Sequence, residues 1–520
     1  MAQVVITHSD LSELATVTRE EAIGTLTMLG FPTEELADGG LNVEVTPNRP
    51  DALCVEGIAR ALNSYKSGKP PKYTVGKPKV NVVVDKSVSD VRPVFGCAAV
   101  LNVKMTESLL RSLMQLQEKL HETLGRKRRK VAIGIHDMDK VVPPFRYFAC
   151  GRKDVSFVPL DREAKMTPDE ILENHEKGIG YAHLVGERCP MITDRNGSVL
   201  SFPPIINGEL TKLTRHSKNL FIDATGTSPE AVRQAVNIIV AALLDRGGQA
   251  EEVLVGKKPY RLLEEKRMAL PVCEAERLLG IKLGKKKCGV LLAKMGHRVV
   301  GGSVFVPGYR TDVISAVDLV EDIAIAYGFN NFEPTLPSFA SIGKASAESP
   351  YHDLLVGLGF DETVTWTLSN REMAKKALLP QSAVIEIENP LTADFTAFRS
   401  AILPNLLTVL FESKNERLPV RIYEIGPVGA PDLEGRLAAV SMHPKASLSE
   451  IIGIVLSLAE ATGRGIEVKP EDFGPFLKGR CAALYVDGKK KGFAGEISPQ
   501  VLANFGLEQP ACAFEIGLDW

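Results

Sequence analysis

PGYRTDVISAVDLVEDIAIAYG, from Pro307 to Gly328, is the stretch on which the reading of this chain turns. A Pro-Gly turn leads into Tyr309, Arg310 and Asp312, after which Val317, Val320, Ile323, Ala324 and Tyr327 recur at helical spacing. The pattern predicts an amphipathic helix. Asp318, Glu321 and Asp322 fall at i, i+3 and i+4 on one face, with Asp312 within reach on the entering loop. Two readings stay open: a solvated acidic face beside Arg310, or oxygen ligands for a hard cation such as Mg2+, which keeps most of its waters and needs few carboxylates.

The stretch has an echo. VTPNRPDALCVEGIARAL (Val45 to Leu62) places Arg49 and Asp51 where Arg310 and Asp312 stand, and LTMLGF (Leu26 to Phe31) mirrors LLAKMGH (Leu291 to His297). This predicts a duplicated small domain. Matching Glu56-Gly57-Ile58-Ala59 to Glu321-Asp322-Ile323-Ala324 needs four extra residues in the second copy, about one helical turn, which would carry Asp318. On that alignment Glu56 lacks acidic neighbours and is expected to tolerate replacement.

Working outward, 520 residues suggest three or four domains. A net charge of about −2 excludes a globally basic nucleic-acid binder, so any RNA contact must come from local patches. The eight cysteines include no CxxC pair and the nine histidines no HxxxH, which argues against zinc and disulfide frameworks. The start, MAQVVITHSD, lacks a signal-like basic and apolar run, and the expectation is a cytoplasmic protein.

The predicted division is 1–79 (first repeat and linker), 80–259 (an α+β domain), 260–336 (second repeat) and 337–520 (last domain). Lys66 to Lys79, with three prolines and five lysines, reads as an exposed linker. In the second domain a helix opens at Thr106, followed by Arg126, Lys127, Arg128, Arg129 and Lys130, the densest positive run and a candidate phosphate-binding loop or a plain basic turn. Ser198 to Gly226 reads as two apolar strands around a hairpin-like link. In the last domain LGFDETVTWTL predicts an alternating strand, and FRSAILPNLLTVLFES a helix interrupted near Pro404.

Taken together, GYRTDVISAVDLVEDIAIAYGFNNFEP, VTPNRPDALCVEGIARAL, NPLTADFTAFRSAILPNLL and RIYEIG resemble the beta subunit of phenylalanyl-tRNA synthetase in its short archaeal and eukaryotic form, in the right order over nearly the whole chain. The resemblance implies an α+β multidomain fold: duplicated helix-turn-helix-like domains, an editing domain for mischarged tyrosyl-tRNA, and a noncatalytic class II synthetase-like antiparallel sheet with helices. It implies an alpha subunit as partner (two alpha, two beta), tRNA(Phe), ATP used by the complex, and Mg2+ shared with alpha at Asp312, Asp318, Glu321 and Asp322. Editing matters because a pocket for a phenyl ring rejects an added hydroxyl only about a hundredfold. By residue type His136, Asn207, Asp223 and Thr225 are candidates for a phenol-binding pocket, and Arg126 to Lys130 for tRNA contact. Near RIYEIG, Glu424 is kept but Ile422 replaces the family's ATP-gripping arginine, and GFAGEISP (Gly492 to Pro499) lacks the third-motif arginine. Two rivals, a freestanding nucleic-acid binder and an autonomous tRNA hydrolase, lack respectively a basic recognition helix and a purpose for the last domain.

Overall fold

The computed structural model describes residues 2–336, 343, 349–429 and 433–518. It falls into two units, Met1–Leu336 and Pro337–Trp520. In the first, the duplication is plain in the topology. Strands Ala2–Ile6, Thr33–Glu35 and Leu41–Val45 form a sheet with the third strand in the middle, and so do Lys266–Ala269, Arg298–Val300 and Ser303–Val306. Each sheet is followed by an Arg-x-Asp turn and a helix, Val55–Ser67 or Ala316–Tyr327. Both helices begin six positions after their arginine, so the inserted turn is not there. The structure instead pairs Glu56 with Val317, Gly57 with Asp318, Arg60 with Glu321 and Ala61 with Asp322. Gly57 is required: a Cβ there would stand 1.8 Å from the Asp51 carbonyl oxygen.

Between the repeats in sequence lies a ten-stranded mixed sheet. The helix Pro229–Asp245 lies along it with eleven buried residues, from Ala231 to Leu243, which is why its apolar positions run almost all round. Side-chain caps start the helices: Thr106, the expected opening, accepts from the Leu109 amide, Thr167 completes a capping box with Glu170, and Ser228 accepts from Ala231. The supposed linker is short, because the strand Val75–Val84 takes up Lys77 and Lys79, and Lys79 pairs with Glu251. Ser198 to Gly226 is not one hairpin. Val199–Phe202 turns back onto Ile206–Asn207, whereas Leu220–Gly226 inserts between Val94–Leu101 and Val131–Asp137 near the opposite edge.

The second unit is a seven-stranded sheet, antiparallel but for Asp361–Glu362 beside Val420–Val428. Leu403–Glu412 packs on one face, Leu448–Ala461 on the other. Pro404 sits in the first turn of Leu403–Glu412, where its missing N–H is harmless, so it starts this helix and does not interrupt one. The expected strand in LGFDETVTWTL reduces to two-residue strands at Asp361–Glu362 and Leu368–Ser369. Ile422 is buried in the apolar core under Leu403–Glu412.

Candidate functional site

Along Val131–Asp137, alternation turns Ile133 and Ile135 into the core shared with Pro229–Asp245. Gly134 and His136 therefore lie on the other face. Gly134 is paired in register with Asp223, and its lack of a side chain is what admits the neighbouring contact: a Cβ would stand 2.2 Å from Asp223 Oδ2 and 2.6 Å from His136 Nε2. His136 and Asp223 are both buried, with Nε2 2.7 Å from Oδ2 and Nδ1 2.8 Å from the Thr211 hydroxyl. With the ring proton on Nε2, facing the carboxylate, Nδ1 accepts from Thr211. No described group donates to the other Asp223 oxygen.

A cavity of about 120 Å³ opens at this point, lined by Gly134, Asp223, Asn207 and Ser201 and by Gln117, Glu118 and His121 of the helix Glu107–Glu122. One water fills about 10–15 Å³ of such space, so a group of several heavy atoms fits. The buried Ser201 hydroxyl, not among the sequence candidates, has no hydrogen-bond partner among the described residues. His121 Nε2 accepts the Ile133 amide at 2.9 Å, which puts the proton on Nδ1, 3.5 Å from Glu118 Oε2. The His121 imidazole beside it, helped by Arg128, holds the Glu118 carboxyl down to about 2, while burial pushes the His121 imidazole below its ordinary value.

The basic run is not uniform. Arg126, Lys127 and Arg129 are exposed and Lys130 is partly so, but Arg128 is buried in the cavity wall. Its guanidinium donates to the Ile205 carbonyl at 2.8 Å and to Glu118 at 3.3 Å, and lies 4.5 Å from the Tyr181 ring centre. Arg128 is thus removed from the candidate tRNA contacts. Residues 126 to 128 all take left-handed backbone, φ 47, 52 and 64, which disfavours non-glycine residues by about 1–2 kcal/mol each. Arg92 holds that turn, donating to the Arg128 carbonyl at 3.0 Å and to the carbonyl and hydroxyl of Thr225 at 2.7 and 2.9 Å. Burial brings the Arg92 guanidinium down to about 10. Thr225 is therefore a strut behind the site, and His136 supports Asp223; of the four candidates Asn207 and Asp223 line the cavity.

The acidic helix does not gather its four carboxylates. Arg310 donates to Asp312 at 2.9 and 2.7 Å and to Asp322 at 2.7 Å, and His297 lies 2.6 Å from the same Asp322 oxygen. Burial pushes the Asp322 carboxyl up, but Arg310 and His297 outweigh it and bring it to about 2. Asp318 caps its helix, Oδ2 accepting the Ile314 and Ser315 amides at 2.8 and 2.6 Å, and Glu321 is exposed. Among the described residues no three His, Cys, Asp or Glu side chains are arranged to hold a metal. Asp312 and Asp322 are spent on Arg310 and do not fit a magnesium site made by this chain alone.

Three family models match in order: a B3/4 domain over residues 112–240, a tRNA synthetase B5 domain over 268–329, and the phenylalanyl tRNA synthetase beta chain CLM domain over 334–518. They place the chain among aminoacyl-tRNA synthetase subunits. A phenylalanine–tRNA ligase beta subunit of Methanosarcina barkeri is 39% identical over 541 residues, covering 100% of this chain and 99% of that protein. One from Thermococcus sibiricus is also 39% identical, over 91% of this chain and 89% of the relative. An N-terminal fragment of the phenylalanyl-tRNA synthetase beta-subunit from Pyrococcus horikoshii, solved by crystallography, superposes with a TM-score of 0.59 at 35% identity, covering 63% of this chain and 99% of that one. The chain belongs to the phenylalanine–tRNA ligase beta-subunit family.

Proposed function

We propose that this chain works in the cytoplasm with a separate alpha subunit that holds phenylalanine and ATP, as two alpha and two beta, and that the cavity at Asp223 removes tyrosine wrongly joined to tRNA(Phe). What supports the proofreading reading is the buried Asp223 carboxylate, with one oxygen fixed by His136 and the other facing ring-sized space. A tyrosine phenol would donate to that oxygen. A phenylalanine ring would instead leave it dry and unpaired, and sites built to bond a hydroxyl reject the analogue lacking it by about 10⁴ or more.

Hydrolysis requires water oxygen to add to the ester carbonyl and the ribose oxygen to leave with a proton. Glu118, held near 2, is too weakly basic to take the attacking water's proton well at neutral pH, and His121 Nε2 is already bonded to a backbone amide. The site therefore acts by holding the ester and water in place, with Arg128 as the cation at the wall. The exposed Arg126, Lys127 and Arg129 supply tRNA phosphate contacts. Asp318 and Glu321 are the carboxylates of the helix Ala316–Tyr327 that would help hold magnesium together with the alpha subunit, which would screen negative charge there.

No helix among the described residues is long and apolar enough to cross a membrane. The test is Asp223→Ala in the assembled enzyme: tyrosyl-tRNA(Phe) hydrolysis should fall about a hundredfold, with phenylalanylation unchanged. Undiminished hydrolysis would remove the proposal.

A further inference from the structure

A larger cavity, about 360 Å³ against 120 Å³, lies wholly within the second unit. Its floor is the sheet face under the N-terminus of Leu403–Glu412. Three strands supply one row, Ala438, Glu515 and Phe493, and in the next row Arg436 stands opposite Gly517, which leaves the centre open. Beyond it Lys491 is the extra residue of a β-bulge, since Leu484 pairs with Gly492 but Tyr485 with Lys490. Bulges of this kind re-aim side chains, and Lys491 lines the cavity.

The two ends differ in chemistry. At one, Phe473 and Phe493 stack face to face, centroids 4.0 Å apart and 7° from parallel, with Leu379, Pro380 and Leu403 completing an apolar wall. At the other, charges of both signs meet. Arg436 is 2.9 Å from Glu434 and 3.1 Å from Glu515, whose second oxygen accepts the Ile402 and Leu403 amides at 3.0 Å. Lys490 and Lys491 reach the same cavity. Volumes above about 300 Å³, mostly apolar with a few convergent polar groups, are those of ligand sites.

The mixed charge selects the ligand. A simple anion would meet Glu434 and Glu515, a simple cation Arg436 and the lysines, and an uncharged aromatic would strip water from all of them without replacement. We propose that this cavity binds a free aromatic α-amino acid, ring against Phe473 and Phe493, carboxylate towards Arg436 and Lys491, ammonium towards Glu434 and Glu515. Nothing in the proofreading reading uses this cavity, so the two stand or fall separately.

The test is calorimetric titration of the full chain, free of alpha subunit, with L-phenylalanine and L-tyrosine, and with 3-phenylpropionate and 2-phenylethylamine as probes lacking one charge. Ala383→Trp, at an exposed position on the rim, plugs the cavity without touching the core, and an unchanged circular dichroism spectrum would certify its fold. Saturable binding of an aromatic amino acid is expected, about tenfold or more weaker for each probe and for the plugged variant, a difference of 1.4 kcal/mol or more. Absence of saturation by about 10 mM amino acid, or binding indifferent to the plug, overturns the site. Equal binding of a single-charge probe overturns the zwitterion assignment.

Discussion

The two repeats share a scaffold and differ in what surrounds the same arginine. In the first, Arg49 holds Asp51 at 2.8 Å and lies 5.2 Å from the Phe31 ring centre. In the second, the counterparts of Phe31 and Ala61 are His297 and Asp322, and Arg310 is drawn into a buried cluster with both of them and Asp312. An apolar pair has been exchanged for an ionic one.

The following helix shows the reverse trade at its outer face. Arg60 is buried, 2.7 Å from Asp245 and 4.2 Å from the Tyr309 ring centre, and Glu56 is buried against Arg246 at 2.8 Å and Ser112 at 2.6 Å. The equivalent Glu321 and Val317 face solvent, Val317 at 49% exposure. The first copy spends this face on packing within the chain. The second leaves it exposed.

The largest effect should come from Arg310→Ala, which strands Asp312 and Asp322 together in a buried site. Breaking buried pairs costs about 3–5 kcal/mol, and the first unfolding transition of the full chain should drop accordingly. A loss below about 1 kcal/mol would mean that the cluster is solvated.

Glu56→Ala should come next, at about 3 kcal/mol, because among the described residues it leaves Arg246 paired with the half-exposed Glu13. The same denaturation experiment decides it, and a neutral outcome would restore the expectation drawn from the sequence.

That expectation failed for a definite reason. The letters Glu-Gly-Ile-Ala and Glu-Asp-Ile-Ala align by identity, but helices are placed by their entering turns, and Arg49 and Arg310 fix the offset one turn away. The duplication was legible because it rests on a long patterned segment, whereas Asp223 was named by residue type alone and its burial beside His136 comes from strand pairing that no local signal shows. Arg128 was lost inside a run of like charges, since no local signal says which cation a left-handed turn will bury. Gly134 carried a readable hint, glycine in a strand interior marking close approach. The cavity of the second unit had none, being assembled from segments as distant as Leu379 and Glu515.

A smaller effect should follow from rebuilding the first repeat inside the second with His297→Phe and Asp322→Ala. Buried ionic groups exchanged for apolar ones of fitting shape often change stability little, so a shift within about 1 kcal/mol is expected at pH 7. The pH dependence should change more. Asp322 has its carboxyl depressed to about 2, so its contribution is present above the ordinary carboxylate range and lost as pH falls from about 4 towards 2. Over that window the wild type should lose more stability than the double variant. Parallel acid curves would show that Asp51 and Asp312, which both keep depressed carboxyls, carry the acid sensitivity instead.

Smallest of all should be Glu321→Ala in the isolated chain. Glu321 makes no ion pair with a described residue and is exposed, and surface replacements typically stay within about 0.5 kcal/mol. Its counterpart Arg60 offers the structural contrast, being buried 2.7 Å from Asp245 where Glu321 is exposed. The comparison becomes sharper when alpha is present. If the open face of the second helix is a partner surface, Glu321→Ala should leave the melting temperature of the chain alone unmoved and weaken alpha binding, more so at millimolar Mg2+ than in chelator. Subunit affinity measured across a magnesium titration for wild type and variant decides this: parallel curves would reduce Asp318 and Glu321 to a capping residue and a solvated neighbour, and would leave the two repeats differing only in how they hold their arginine.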